Sequence, residues 1–349
     1  MVTLGPVELV RNSSLVNCGP STVPPVTPGP YKPQHLNLDI PDEPCRAWKD
    51  VTGAVTMLAT HTSARLDHGP SLSSLKHVCK PVFNSTWNPE PSAYDDRTWL
   101  MSPWLPTTSA STIYALGHME FHGWSDTPGH QRCINRSTNT PVEPHKHNHV
   151  EPSLCWYNAI VLLKSVDGGV TFDHALPPPH HMVAAAPYRY PDFAEVAMGL
   201  GDMSNVLHAR DGFLYVFANS RRDYKEMKAG HCLMRTTPKA LSDPRSWRAW
   251  GGGTEFNVTF VNPYLNNITD PSAHVCQPLP IRFAPHYVGW STHFGRYIAV
   301  GTTSLRSNTE GALKQRLASV FSLSKSFDSL LDWGAPSLLR RNDPDPQVK

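Results

Sequence analysis

Ser165-Val166-Asp167-Gly168-Gly169-Val170-Thr171-Phe172 closes an apolar run, Ala159-Ile160-Val161-Leu162-Leu163, and its reading decides the fold class. The run has the length of a core strand and falls far short of the roughly 18 apolar residues a membrane span needs. The eight residues after it can form a turn that satisfies its own polar groups. The Asp167 carboxylate can accept from turn amides, glycine permits the left-handed backbone, and Phe172 can tuck beneath. A strand, a self-satisfied turn and a returning chain make a hairpin, predicted over residues 159–172.

Working outward, the same alternation of short apolar runs and turns recurs from residue 44 onward. AVTMLATH (54–61), TIYALGHMEFHGW (112–124), NVLHARDGFLYVFANS (205–220) and GRYIAVGTTS (295–304) are the clearest copies. LSDPRSWRAW (241–250) and SKSFDSLLDWG (324–334) read as closing turns, and Asp211-Gly212 as a tight hairpin turn. No sustained 3.6-residue period competes with this pattern. Thirty-four prolines in 349 residues, about twice the usual ~5% share, remove backbone donors and disfavour long helices. An all-β protein follows. Repeats of 60–80 residues predict a β-propeller, with five blades expected from the length. The domains read as an extended Pro/Ser/Thr-rich arm at 1–38, one propeller at 39–340 and a polar tail at 341–349.

The turn 165–172, with Ser165, Asp167, Gly169, Thr171 and Phe172 at its fixed positions, resembles the Asp-box of sialidases and other propellers. Asp42-Glu43-Pro44 resembles the Asp-x-Pro opening of five-bladed glycosidases of the arabinanase and fructosidase type. Phe327-Asp328-Ser329-Leu330-Leu331-Asp332-Trp333 is similar to their blade-closing turns. The resemblance covers about residues 40–338 as a pattern of blades. It implies a carboxylate on each of the first three blades around a central pocket: Asp42, then Glu120, then Asp202 or Glu195. No Glu-Gly-Pro or Glu-Cys-Pro acid motif of those families is present.

The residues themselves support a site on the second unit. With a strand period of two, Tyr114, Leu116, His118, Glu120 and His122 share one face, while Ile113, Ala115, Met119 and Phe121 share an apolar one. His-x-Glu-x-His on one face is poorly explained by packing, and an innermost blade strand carrying it would line the channel. Glycoside hydrolysis needs one carboxyl held protonated and one ionised. Glu120 is the expected acid, tuned by His118 and His122, Asp42 the expected base, and Asp202 their partner. Arg46, Arg189 and Arg235, each beside an apolar or aromatic run, are candidates to bind sugar through their planar forks.

A net charge of +2 with dispersed basic residues excludes an electrostatic case for nucleic acid. Neither a Walker loop, a dinucleotide fingerprint, a zinc-protease helix nor a G-x-S-x-G elbow is present. No cofactor and no metal are expected. His145-Lys146-His147-Asn148-His149 and His180-His181 read as solvated loops. The partner expected is an oligo- or polysaccharide, bound by a monomer. A lyase using His118 or His122 as base, and a non-catalytic lectin, remain the alternatives; the unequal blades favour one central site. Five glycosylation acceptors, at Asn12, Asn84, Asn135, Asn257 and Asn267, and seven scattered cysteines without zinc-site spacing argue for a secreted protein. Cys18–Cys45 and Cys133–Cys155 are the expected disulfides, each tying a loop to a blade.

Overall fold

The computed structural model describes Cys18 and residues 41–341, apart from residues 51, 107–110, 124–128, 131, 136–137, 142–154, 192–196, 308–313 and 327. The arm apart from Cys18, the tail apart from Arg341, Glu195, Phe327 and the 145–149 histidine run therefore lie outside the described residues, as does Asn12.

The chain builds antiparallel meanders in sequence order. The first comprises β1 (Arg46–Lys49), β2 (Val55–Ala59), β3 (Ser63–Gly69) and β4 (Lys76–Asn84). The second holds β5 (Arg97–Trp104), β6 (Ile113–His122), a small hairpin of β7 (Ile134–Asn135) and β8 (Thr140–Pro141), then β9 (Trp156–Ser165), β10 (Asp173–His174) and β11 (Met182–Ala185). The third is formed by β12 (Met198–Gly201), β13 (Leu207–His208), β14 (Leu214–Ser220), β15 (Gly230–Thr236), β16 (Arg248–Ala249) and β17 (Val258–Thr259). The fourth is β18 (Ala284–Ser291), β19 (Arg296–Ser307), β20 (Lys314–Leu323) and β21 (Ser337–Arg341). β12 pairs with β14 and, in parallel, with the start of β9, so the second and third meanders are continuous.

This is an all-β propeller architecture. Successive sheets pack on one another through apolar side chains. Leu58 and Phe83 of the first meet Leu100, Ile113 and Leu163 of the second. Met101, Leu116 and Ile160 of the second meet Val216 and Met234 of the third. Phe217 and Leu233 of the third meet Val288, Tyr297 and Val320 of the fourth. Each such side chain, fully buried, contributes roughly 1.5–3 kcal/mol. Among the described residues the sheets hold four, eleven, four and two strands.

The turn at 165–172 forms as expected. β10 returns along β9, pairing Asp173 with Lys164. Asp167 Oδ1 accepts from Ser165 Oγ (2.7 Å) and the Thr171 amide (3.0 Å), and Oδ2 accepts from Thr171 Oγ1 (2.7 Å). Gly169 takes φ +95° and Phe172 enters the core between the first two sheets. Burial works against ionisation here, but the bonds from Thr171 and Ser165 outweigh it and hold the Asp167 carboxyl down at about 2. Both closing turns bury a tryptophan, Trp247 and Trp333.

Three disulfides are present: Cys18–Cys79, Cys133–Cys155 and Cys232–Cys276. The second is the expected pair. The expected Cys18–Cys45 pair is corrected: Cys18 reaches the outer strand β4, and Cys45, exposed at the start of β1, is in none of the three. Asn84, Asn257 and Asn267 are exposed. Among the described residues, no helix is long and apolar enough to cross a membrane.

Candidate active site

The site is assembled from the turn before β1, the second half of β6, and the turn after β12. Asp42 is held by its amide, which donates to Thr60 O at the end of β2 (2.9 Å). Its Oδ2 accepts from Trp99 Nε1 of β5 (3.1 Å), joining the first sheet to the second. On β6, His118, Glu120 and His122 share a face as period two requires. Glu120 lies opposite Arg97 on one side and Asn158 on the other. β6 is therefore flanked by β5 and β9, and the expectation of an innermost channel-lining strand is corrected.

Two glycines explain how the third sheet comes so near. A Cβ on Gly199 would fall 1.9 Å from Asn158 O, and one on Gly201 would fall 2.2 Å from His118 Nε2. Only glycine allows that approach. The next residue, Asp202, adopts the left-handed region at φ +45°, uncommon for a side-chain-bearing residue. Its carboxylate is fastened by Asn219 Nδ2 on Oδ2 and Arg221 Nη2 on Oδ1, both at 3.1 Å.

His118, with no exposed side-chain surface, is the hub. Nδ1 lies 3.5 Å from Asp202 Oδ1 and 3.9 Å from Glu43 Oε1, and Nε2 lies 3.4 Å from Glu120 Oε1. The far oxygen of Glu120 shares a hydrogen bond with His122 Nε2 (2.9 Å). Arg221 also stands 3.7 Å from Glu120 Oε1, its guanidinium stacked 4.2 Å over the Trp156 ring. Behind Glu120, Arg97 pairs with Asp96 (3.0 Å), whose other oxygen lies 3.0 Å from His130 Nε2.

This crowding separates the proton affinities. Burial, then the charges of Asp202, Glu120 and Asp42, push the Glu43 carboxyl up to about 8. Burial pushes Glu120 up to about 7, with Asp202 adding to it and His118, Arg221 and Arg97 opposing. Burial also disfavours the charged form of Asp202, but His118, Arg221 and Asn219 outweigh it and hold this carboxyl below its ordinary value. Burial, with Arg97 second, drives His122 well below the usual imidazole range. One donor atom each from Glu43, His118 and Asp202 lie within 4.8 Å of one another, so these three could also hold a divalent cation.

Of the residues expected from sequence, Asp42, Glu120, Asp202, His118 and His122 come together. Arg46 joins them through Met203 O (3.1 Å). Arg189 and Arg235 do not. Arg189 donates to Pro263 O and lies over the Tyr264 ring. Arg235 is sandwiched at 4.1 Å from both Phe213 and Phe256 and bonds Tyr215 Oη. The aromatic run that made it a sugar-binding candidate instead encloses it. The expectation that Glu120 faces an open pocket is corrected too: its side chain is 7% exposed, against 55% for Asp42, 23% for Asp202 and 18% for Glu43. His181, read as a loop residue, is buried, with Nε2 in a hydrogen bond to Tyr94 O. Sequence reasoning missed Glu43, Arg221, Asn219 and the two tryptophans. Glu43 stood beside Asp42 in the quoted triplet, and the Gly-x-Gly-Asp spacing was the signal for a close approach at 199–202.

No protein-family model matches the chain, and no curated protein matches its sequence. Solved structures do match. A Cellvibrio cellulosa α-L-arabinanase complexed with arabinohexaose is 10% identical, with a TM-score of 0.44, covering 86% of this chain and 78% of that one. A glycosyl hydrolase from Bacteroides ovatus gives 8% identity and a TM-score of 0.43, over 87% and 72% of the two chains. An exo-1,5-α-L-arabinanase from a bovine ruminal metagenomic library is 9% identical, at a TM-score of 0.32 over 84% and 94%. Likeness this distant carries nothing about activity.

Proposed function

We propose that the protein hydrolyses glycosidic bonds, with Glu43 as the proton-donating acid and Asp202 as the ionised carboxylate. The observation that supports this reading above others is the pair itself. Two carboxyls with oxygens within 4.8 Å of each other are driven apart in proton affinity, one up and one down. Opposed titration of neighbouring carboxyls is the arrangement acid–base hydrolysis requires. Glu43 protonates the leaving oxygen as Asp202 attacks the anomeric carbon and the glycosidic bond breaks; water, giving its proton to Glu43, then cleaves the glycosyl–Asp202 ester and restores both carboxyls. Arg221 and Asn219 hold Asp202 in line, while Glu120 is a positioning residue that anchors His118 and Arg221. Trp99 and Trp156 are packing partners of the pair rather than sugar platforms: Trp99 is buried and donates to Asp42, and Arg221 covers the Trp156 ring.

This assignment moves the acid from Glu120 to Glu43 because Glu43 is the less enclosed of the two raised carboxyls. It also favours retention. A separation of ~5–5.5 Å leaves no room for the water that inversion places between carboxyls ~6.5–9.5 Å apart. Action on an oligo- or polysaccharide outside the cell fits the three disulfides and the exposed acceptors Asn84, Asn257 and Asn267. The test is to screen aryl glycosides and plant and algal polysaccharides, then read the first-formed anomer by proton NMR. Retained configuration, lost in Glu43→Gln and in Asp202→Asn, is expected. Inversion would return the base to Asp42, and glycan binding without turnover would make the protein a lectin.

A further inference from the structure

Tyr114 stands six residues from Glu120, at the other end of β6, directly opposite Trp104 of β5. At ~3.3 Å per residue the two ends are about 20 Å apart. There a cavity of about 490 Å³ opens between the second and third sheets, within the ~300–1,000 Å³ typical of small-ligand sites. Its chemistry is the reverse of the carboxylate cluster. Trp104, Leu105 and Tyr114 give an apolar wall, His208, Lys239 and Ser242 supply donors, and among the described residues no aspartate or glutamate lines it. Trp104 and Tyr114 are only partly buried, although both rest on the core between these sheets.

A ligand suited to this groove has one flat apolar face, is rich in acceptors and carries negative charge. A sugar ring stacks its C–H face on Trp and Tyr, and an anionic substituent answers Lys239 and His208 through charge-assisted bonds. A neutral sugar would leave the ammonium unanswered, and a peptide would bring donors where the groove already has them.

We propose that the groove formed by Trp104, Tyr114, His208, Lys239 and Ser242 is a second carbohydrate site, which holds an acidic residue, carboxylated or sulfated, of the glycan acted on at the carboxylate cluster. The inference rests on the carbohydrate reading of that cluster. Its role is to keep a polymer on the enzyme between cleavages.

Binding is measured by calorimetry on Asp202→Asn, in which turnover should be slowed at least ~10²-fold, using hexagalacturonate, a sulfated galactan hexasaccharide and neutral galactohexaose. Two sites per chain for at least one acidic probe are expected. Lys239→Ala and Trp104→Ala should each weaken one of them at least tenfold and leave the other unchanged. In the otherwise wild-type enzyme the same substitutions should raise KM for an acidic polymer about tenfold while sparing aryl glycosides. Lys239 is exposed, so its variant tests the site without disturbing the core. The uronate and sulfate arms separate the two sources of charge. A single site untouched by Lys239→Ala, or equal affinity for the neutral probe, would overturn the second site and leave the hydrolase reading intact. Failure of every glycan to bind at either place would instead overturn the carbohydrate reading on which it rests.

Discussion

Glu43→Gln should abolish turnover and at the same time stabilise the protein above neutral pH. The folded carboxyl titrates at about 8 against an ordinary 4.5. At pH 7 about nine-tenths of Glu43 is then protonated, whereas an unperturbed glutamate would be protonated in well under 1% of molecules. Between pH 4.5 and 8 the folded chain holds a proton here that the unfolded chain has lost. Stability therefore falls as pH rises through that window, and the loss is complete above 8. The gap corresponds to a ceiling of ~5 kcal/mol, and sharing of charge with Asp202 and Glu120 makes ~2–4 kcal/mol the expected gain. Glutamine has the shape of the neutral acid and carries no such penalty. Urea denaturation of wild type and variant at pH 5 and pH 9, with turnover measured in parallel, reads both effects. The curves should nearly coincide at pH 5 and separate at pH 9. An equal difference at the two pH values, or a variant that keeps its activity, would refute the account of Glu43 as a buried, protonated acid.

Asp202→Asn should reduce kcat by at least ~10²-fold, with circular dichroism unchanged. Asp96→Asn removes the carboxylate that pairs with Arg97 behind Glu120, so the Arg97 charge acts more strongly on Glu120 and lowers its carboxyl further; the limb of the kcat/KM pH profile that reports Glu120 should move to lower pH, with KM little changed. Asp167→Ala removes three bonds from an exposed turn and should cost ~1–2 kcal/mol, with activity per folded molecule preserved in a thermal melt paired with a turnover assay. Cys133→Ser opens the loop closed between Cys133 and Cys155 and should cost ~3 kcal/mol, measured by denaturant midpoint in the absence of reductant.

What could be read along the chain was what is decided locally. The 165–172 turn satisfies itself within eight residues, so its form was legible, and a strand's period of two is enough to place His118, Glu120 and His122 on one face. The second half of the site is non-local. Arg221 matters only because β14 lies beside β12, and Asp202 reaches His118 only because Gly201 lacks a Cβ. Arg235 shows the converse error: a cation beside aromatic residues looks the same in sequence whether the rings offer it to a ligand or close over it. Cys18 was assigned to the nearer cysteine in the chain, yet folding brings it to Cys79 on the outer strand.

The same non-locality explains why four carboxyls, Asp42, Glu43, Glu120 and Asp202, are tolerated together. Asp42 and Glu43 are neighbours in the chain, but the larger part of the repulsion arises only when the sheets bring Asp202 and Glu120 to them around His118. Apolar packing between the sheets therefore sustains the electrostatic cost, and it is spent at one point where Arg221 serves two of the carboxylates and a proton serves a third. A site built only for stability would pair each carboxylate with its own cation, as Arg97 is paired with Asp96. Leaving Glu43 to be neutralised by a proton rather than by an arginine puts a transferable charge where the chain is open enough for a ligand to meet it. That choice separates the turn before β1 from the buried pairs behind it, and makes Glu43 the residue on which the hydrolase reading stands.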